Sequence, residues 1–597
     1  MKAIVCTICI LGLAAGTVAA EQEIMPLSEL RIGMTGVGKT IVAGEEITEF
    51  AAEILGVIDQ PGEEGDFIVV RVSGAAIGRA GGIAQGMSGS PIYVDGKLIG
   101  ALSRAATWSK ELMPVGLVTP IEPMLAVLEA ADAASSSAAA EALLDAPVLL
   151  SVASPLGLAF SSGIPGAIVS APLAAPVLCS GLSARATASL MGTGAIDRPG
   201  GLFGDYVTLW SAATEPLRMS GLTRFGLSLS PLAAAPSATY GDPQGFVPGG
   251  SMGIALATGD VTIGALGTVT YRDGDLLLGF GHPFLSNGSS QFPLTAVQIF
   301  ETMKAYDASF KLGSLGRSLG TVLEDRVAAV AARVGSQPPM VALTVAAALE
   351  DSPESPERTF SVALVQESRL LPELLFAAGV ATIDEALGRI GQGTVEVTFT
   401  LDGDGMPRPV TRRDVFLSAV DIAAYPPWQL AEIAAYFEYN PFVDPGLHTI
   451  SMTLSLTQEV RAIQISHLEL DQLIYAPGDT VHYSLELQTY RGERRFAEGD
   501  FQIPTDLYTD TISVRAYGGP RLRTAGELPR KISSIEDMID LVEALPSYDV
   551  LTVELFALDL LAPYAEAWVG IDAIEVPLDG YVVYDHSEVV AYLFEQE

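Results

Sequence analysis

Residues 81–100 read Gly81-Gly-Ile-Ala-Gln-Gly-Met-Ser88-Gly-Ser-Pro-Ile-Tyr-Val-Asp-Gly-Lys-Leu-Ile-Gly100. The first half is a glycine-rich loop and the second half a hairpin. Ile92, Tyr93 and Val94 make one strand, Asp95-Gly96 is a favoured two-residue turn, and Leu98-Ile99 begins the return. A serine held in such a turn can present its hydroxyl to a carbonyl carbon. Gly86 and Gly89 let a substrate backbone come close. The N–H groups of Gly86 and Ser88 can converge on one point, which is what an oxyanion requires. A plain tight turn in a β-protein would leave the same string, so the serine needs a partner elsewhere in the chain.

That partner is offered by Gly264-Ala-Leu-Gly-Thr-Val-Thr-Tyr-Arg-Asp273-Gly-Asp-Leu-Leu-Leu-Gly-Phe-Gly-His282-Pro-Phe. It reads as a second hairpin turning at Asp273-Gly274, and its return strand ends on a histidine between Gly281 and Pro283. A serine nucleophile needs a base, and histidine is the usual one at neutral pH. The chain has five histidines, and His282 has the most glycine-punctuated surroundings of them. His448, His467 and His482 fall in a region of regular alternation, and His467, within an alternating strand, is expected to pack or to face the surface.

Together the two stretches resemble the SpoIVB-type serine peptidases, peptidase family S55. The resemblance rests on Gly86-Met-Ser-Gly-Ser-Pro91 after Ala80-Gly-Gly-Ile, and on the segment from Pro248-Gly-Gly-Ser-Met-Gly-Ile to Gly281-His282. It covers about residues 30–130 and 245–335. It implies a mainly β fold with a chymotrypsin-like pair of β-barrels. It also implies Ser88 as nucleophile, His282 as general base, and the Gly86 and Ser88 amides as oxyanion hole. Met87 stands where chymotrypsin-type zymogens carry an acidic residue for activation. Serine precedes histidine here, the reverse of the family order, which points to a permuted arrangement; triads are defined by geometry, not chain order. The family's acidic member aligns with Ser73, which cannot stabilise an imidazolium as a carboxylate does. Asp66, Asp59 and Asp325 stand open as substitutes, Asp325 lying 43 residues after His282 in Leu-Glu-Asp-Arg. Asp273 belongs to turn chemistry. Loss of the carboxylate would leave a much slower enzyme or an inactive peptide-binding scaffold.

The rest of the chain sets the context. At 597 residues there is room for several domains, and 60 glycines with 49% hydrophobic residues indicate a packed, turn-rich protein. A net charge of −38 argues against nucleic acid, whose phosphates are bound by Lys and Arg, and against anionic lipid. Residues 1–20 read as a signal peptide: Lys2, an apolar run from Ala3 to Ala15, and Val18-Ala-Ala20 before Glu21. A secreted or periplasmic protein without an integral membrane span is expected. Cys6 and Cys9 leave with the signal, so Cys179 has no partner for a disulfide. Gly33-Met-Thr-Gly-Val-Gly-Lys39-Thr40 matches a phosphate-loop pattern, but the flanks are β-like, and that chemistry needs a helix to follow. Asp402-Gly-Asp-Gly405 lacks the downstream acid of a calcium loop and reads as a turn. No cofactor or metal is called for.

The expected organisation is a signal peptide over 1–20, a serine-bearing barrel half over 25–130, a linker and Gly/Ala/Pro-rich insert over 131–245, and a histidine-bearing half over 246–350. An α+β region over 351–445, an immunoglobulin-like sandwich over 446–525 and an α/β tail over 526–597 follow. Thr119-Pro-Ile-Glu122 reads as a capped helix start, with Thr119 as the cap. The functional expectation is an exported serine endopeptidase acting on protein or peptide. The alternative is an inactive relative whose sandwich docks a cell-envelope protein.

Overall fold

A computed structural model describes residues 22–58, 66–106, 114–136, 170–172, 176–192, 221–225, 228–229, 240–305, 308–352, 354, 356–507, 509–520, 532–559 and 567–594. The signal-peptide segment 1–20, Asp59 and most of the 131–245 insert lie outside these residues.

The N-terminal sheet contains β1 (Thr35–Ile41), β2 (Ile47–Ile58), β3 (Phe67–Ser73), β4 (Ser90–Val94), β5 (Lys97–Ala106) and β6 (Val115–Pro120). They run in the order β4-β1-β2-β3-β6-β5, and pairing of β4 with β5 closes them into a six-stranded antiparallel barrel. Alternation in β3 explains the closure. Ile68, Val70 and Val72 fill the interior with Phe50, Ile54, Ile92 and Leu102, while Phe67 and Val69 pack outside against Leu117. Asp95 and Gly96 both take positive φ, 50° and 77°, so the β4–β5 turn is the kind the sequence indicated. The phosphate-loop string lies mostly on β1, with no helix behind it to face a phosphate.

Three short strands of the insert join the sheets: β7 (Ser170–Pro172) edges β5, and β8 (Pro176–Ser180), paired with β9 (Ser228–Leu229), edges the second sheet. That second sheet holds β10 (Ser251–Gly259), β11 (Thr262–Asp273), β12 (Leu276–Gly279), β13 (Gly288–Met303), β14 (Phe310–Arg326) and β15 (Ala329–Val334). Their antiparallel pairings run β10-β13-β14-β15-β12-β11 and return to β10, a second ring of six. The β11–β12 turn is Gly274-Asp275, one residue later than the sequence suggested, because Gly274 supplies the positive φ of 59°. Helix α1 (Ala75–Ala80) precedes the serine loop, and helix α2 (Ile121–Ser136) follows β6. Ile121, Met124 and Leu128 of α2 share a core with Leu98 of the first barrel and Leu276, Leu278 and Ala331 of the second, so α2 fastens the barrels together. Thr119 is not the cap expected from sequence: its hydroxyl donates to Gly281 O, 2.6 Å away in the second barrel.

The second ring continues into a thirteen-stranded sheet through Arg358–Val365, Met340–Leu349, Leu447–Thr457, Gly393–Gly403 and Val410–Ser418. Helices Leu371–Leu387 and Tyr425–Glu438 cover it, sharing its core through Leu374, Phe376, Leu430 and Phe437. The Asp402–Gly405 string forms the end of one strand and the turn after it, and among the described residues no acidic or histidine cluster has metal-binding geometry. Beyond residue 460 a four-stranded and a five-stranded sheet enclose one apolar core.

Two sequence boundaries are corrected there. Leu447–Thr457, placed in the sandwich, instead pairs parallel with Met340–Leu349 and antiparallel with Gly393–Gly403. The second sheet of the C-terminal unit draws on Val550–Asp559, Ala567–Pro577 and His586–Leu593, segments assigned to a separate tail. Alternation marks a residue as strand but does not say which sheet will cover it. Among the described residues no helix is long and apolar enough to cross a membrane.

Candidate active site

The serine loop spans Gly81–Gly89, between the end of α1 and β4. The second barrel grips it where β14 begins. Gln85 N–H donates to Ser309 O (2.8 Å), and Lys311 N–H donates to Gln85 O (3.0 Å). Met87 is fully buried in the first barrel's core, so the residue before the serine is an apolar anchor. Thr268 N–H donates to Ser88 O (2.8 Å), Thr268 Oγ1 donates to Gly86 O (3.0 Å), and Thr270 Oγ1 donates to Gly89 O (2.7 Å). At Gly89, φ is +92° and any Cβ would lie 2.0 Å from Thr268 O, so only glycine permits this approach. Ser88 is fully buried, and among the described residues its Oγ has no hydrogen-bond partner.

Two peptide planes aim the amides. The carbonyl of Gln85 is held by Lys311 N–H, so the Gly86 N–H, trans across the same plane, points the other way. The carbonyl of Met87 accepts from Ser90 N–H (3.0 Å) and Ser90 Oγ (2.6 Å), which fixes the Ser88 N–H likewise. Neither amide donates to another backbone group among the described residues. At Gly86 a Cβ would meet Leu266 Cδ1 at 2.3 Å and the Lys311 stem at 3.2 Å, with φ at +88°. Gly86→Ala is therefore expected to swing the Gly86 N–H aside and, with this amide in the oxyanion hole that the family resemblance implies, to lower kcat by about 10²–10³-fold with little change in KM. Steady-state kinetics of the purified variant would check this, and an unchanged kcat would remove that amide from the oxyanion hole.

The histidine arrives by a strained turn. After β12 the chain passes through Phe280 (φ +66°) and Gly281 (φ +68°) before His282. A buried aromatic in the left-handed region is costly, and it is held here by its surroundings. Phe280 N–H donates to Thr268 O (3.3 Å), and its ring packs so closely on Gly267 that any Cβ there would lie 2.8 Å from it. Thr268 thus bridges both segments: Ser88 O on its N–H, and Phe280 N–H, two residues before His282, on its carbonyl. The His282 ring is buried and edge-on to Phe280 at 5.8 Å. Its Nδ1 lies 2.7 Å from Pro283 O. A carbonyl can only accept, so Nδ1 carries the proton and the lone pair sits on Nε2.

Asp325 is not on the ring. Its Oδ1 accepts from Phe284 N–H (2.7 Å), and its Oδ2 accepts from Leu285 N–H (2.7 Å) and Asn287 N–H (3.1 Å). It shapes the loop that leaves His282, and its reach to the histidine is through backbone. Burial pushes its carboxyl upward, and those N–H groups hold it back. Ser73 ends β3 opposite Ala51, while Asp66 stands just before the other end of that strand. The contribution that sequence reasoning missed is the Pro283 carbonyl, which occupies the orienting place on Nδ1. A backbone acceptor leaves no residue-type signature.

A second feature had a faint signal, a lone lysine in the Gly/Leu-rich strand Phe310-Lys-Leu-Gly. Lys311 is fully buried between the barrels, its Nζ donating to Thr40 Oγ1 on β1 (3.1 Å) and Thr268 Oγ1 on β11 (3.2 Å). Burial lowers its pKa to about 7. With the folded value depressed, the unfolded chain binds a proton the folded chain does not between about pH 7 and 10.5. Stability therefore falls as pH drops through that window and levels off below it. Lys311→Met, which keeps the stem and removes the charge, is expected to flatten this dependence and to be more stable than wild type at neutral pH, by on the order of 5 kcal/mol. Urea unfolding at several pH values would check it; parallel curves for the two proteins would contradict it.

No curated protein matches the chain. Residues 15–108, which hold the first barrel's strands β1–β5 and the serine loop, match the model of the SpoIVB peptidase S55 family. Ser88 lies inside the matched stretch, and its loop docks on β11, whose hairpin partner β12 leads to His282, so the serine-bearing N-terminal part of the chain is similar to the SpoIVB peptidase S55 family.

Proposed function

We propose that the protein is an exported serine endopeptidase in which Ser88 and His282 act as nucleophile and base. Ser88 Oγ attacks the peptide carbonyl while His282 Nε2 takes its proton. The Gly86 and Ser88 N–H groups receive the oxyanion. When the C–N bond breaks, the imidazolium returns the proton to the leaving amine, and water releases the acyl group by the same steps. The observation that carries this reading is the Thr268 seam, which joins the serine loop to the histidine strand while leaving two aimed amides unspent. The signal-like segment at 1–20 supports export.

A second reading, a peptide-binding scaffold without turnover, is favoured by the carbonyl on His282 Nδ1. Exchange of a triad carboxylate for an amide costs about 10⁴-fold because the wrong tautomer results. Pro283 O keeps the right tautomer, so only charge stabilisation of the imidazolium is lost, and a slow enzyme is expected in preference to a dead one. A fluorophosphonate probe should label wild type at Ser88 and leave Ser88→Ala unlabelled. Equal labelling of both, or of neither, would defeat the peptidase reading.

A further inference from the structure

Lys311 is a fully buried ionisable group beside the site to which the cleavage chemistry assigns no task. Its neighbours are neutral on every side: Thr40 from β1, Leu266 and Thr268 from β11, Thr302 opposite it on β13, and Gly86 above its stem. The charged residues nearby turn elsewhere. Glu301, on the other face of β13 from Thr302, pairs with Arg79. Lys39 lies over the Tyr93 ring, and the Lys304 stem packs at Gly81. Among the described residues no carboxylate forms an ion pair with Lys311. The amine touches the site through Thr268, whose hydroxyl lies between Lys311 Nζ and Gly86 O.

We propose that Lys311 is a positioning residue for the oxyanion hole, and that the proton on its amine decides whether Thr268 holds the Gly86 carbonyl. This rests on the peptidase reading of Ser88. A threonine hydroxyl has one proton to give. A protonated Lys311 has three donors and no acceptor, so Thr268 Oγ1 must accept from it and send its own proton to Gly86 O. A neutral amine offers a lone pair. The hydroxyl can then turn to it, the Gly86–Met87 peptide keeps only its Met87 N–H bond to Ala84 O (3.0 Å), and the Gly86 Cα that it shares with the Gln85–Gly86 peptide shifts, carrying the Gly86 N–H from its aim. Such drift costs rate more than binding, since the amide acts on charge that develops in the transition state. Burial places the lysine's titration near neutrality, so kcat should fall as Lys311 loses its proton.

Peptide-bond labelling reads the switch directly. The chain contains three Gly–Met bonds, at Gly33–Met34, Gly86–Met87 and Gly405–Met406. Perdeuterated protein carrying carbonyl-¹³C glycine and ¹⁵N methionine gives one signal for each, and Met87→Leu identifies the middle one. Between about pH 5.5 and 9 the Gly86 carbonyl signal is expected to titrate in wild type and in Thr268→Ser, with a midpoint near the lysine's value of about 7. It is expected to stay flat in Lys311→Met and Thr268→Val. In kinetics, Thr268→Val should lower kcat by about tenfold with KM within about twofold, and lose the falling limb of the kcat–pH profile. A wild-type signal that does not move, or one that moves equally in Lys311→Met, overturns the proposal. The two readings fail separately. A titrating carbonyl in a protein that no fluorophosphonate labels refutes catalysis and keeps the coupling, whereas labelling with a flat signal does the reverse.

Discussion

Ser88→Ala and His282→Ala are each expected to lower kcat by roughly 10⁶-fold, and the double variant by no more than either alone. A nucleophile without its base and a base without its nucleophile are equally idle, so losses in such a pair do not add. What remains is the contribution of binding and of the two aimed amides. The Ser88 hydroxyl is buried without a hydrogen-bond partner among the described residues, so removing it leaves no orphaned group there and should not lower the melting temperature. The activity loss in Ser88→Ala can therefore be read as chemistry, not unfolding. Cleavage of a fluorescent casein, with thermal melts alongside, makes the comparison. Losses that multiply in the double variant would show that the two side chains act independently.

Asp325→Ala is expected to destabilise the protein by about 3–5 kcal/mol and to lower kcat by about 100-fold. The reason is local. The fully buried carboxylate gathers the N–H groups of Phe284, Leu285 and Asn287, the residues just after the His282–Pro283 pair. Without it two buried donors and the half-buried Asn287 N–H lose their acceptor, and the Pro283 carbonyl that sets the histidine tautomer loses its footing. Asp325→Asn, which keeps one oxygen but turns an NH₂ group against N–H donors, should fall between wild type and Ala. Urea unfolding gives the stability and casein cleavage the rate. A variant as stable as wild type but slower would move Asp325 from loop support to direct action on the ring.

Much of the local structure was legible because turns and alternation are local. Asp95-Gly96 named its hairpin, and Gly86 and Gly89 announced close backbone approach. Thr119 was misread for the same reason. Its sequence context is that of a cap, yet a carbonyl from a segment 162 residues away competes for its hydroxyl and wins. The third member of the site was sought among side chains, Asp66, Asp59 and Asp325. Backbone stands on His282 Nδ1 instead, and Asp325 shapes the loop beside it.

The sequence by itself determined that this chain is mainly β, that a serine sits in a glycine loop before a hairpin, and that a histidine ends a second hairpin. Local steric preference and period-two patterning suffice for that. Only the tertiary structure decided that these two hairpins meet along Thr268, that Lys311 lies buried where they meet, and which sheet each later strand joins. Such pairings are chosen by burial and hydrogen bonding between segments remote along the chain, and no residue carries that information alone.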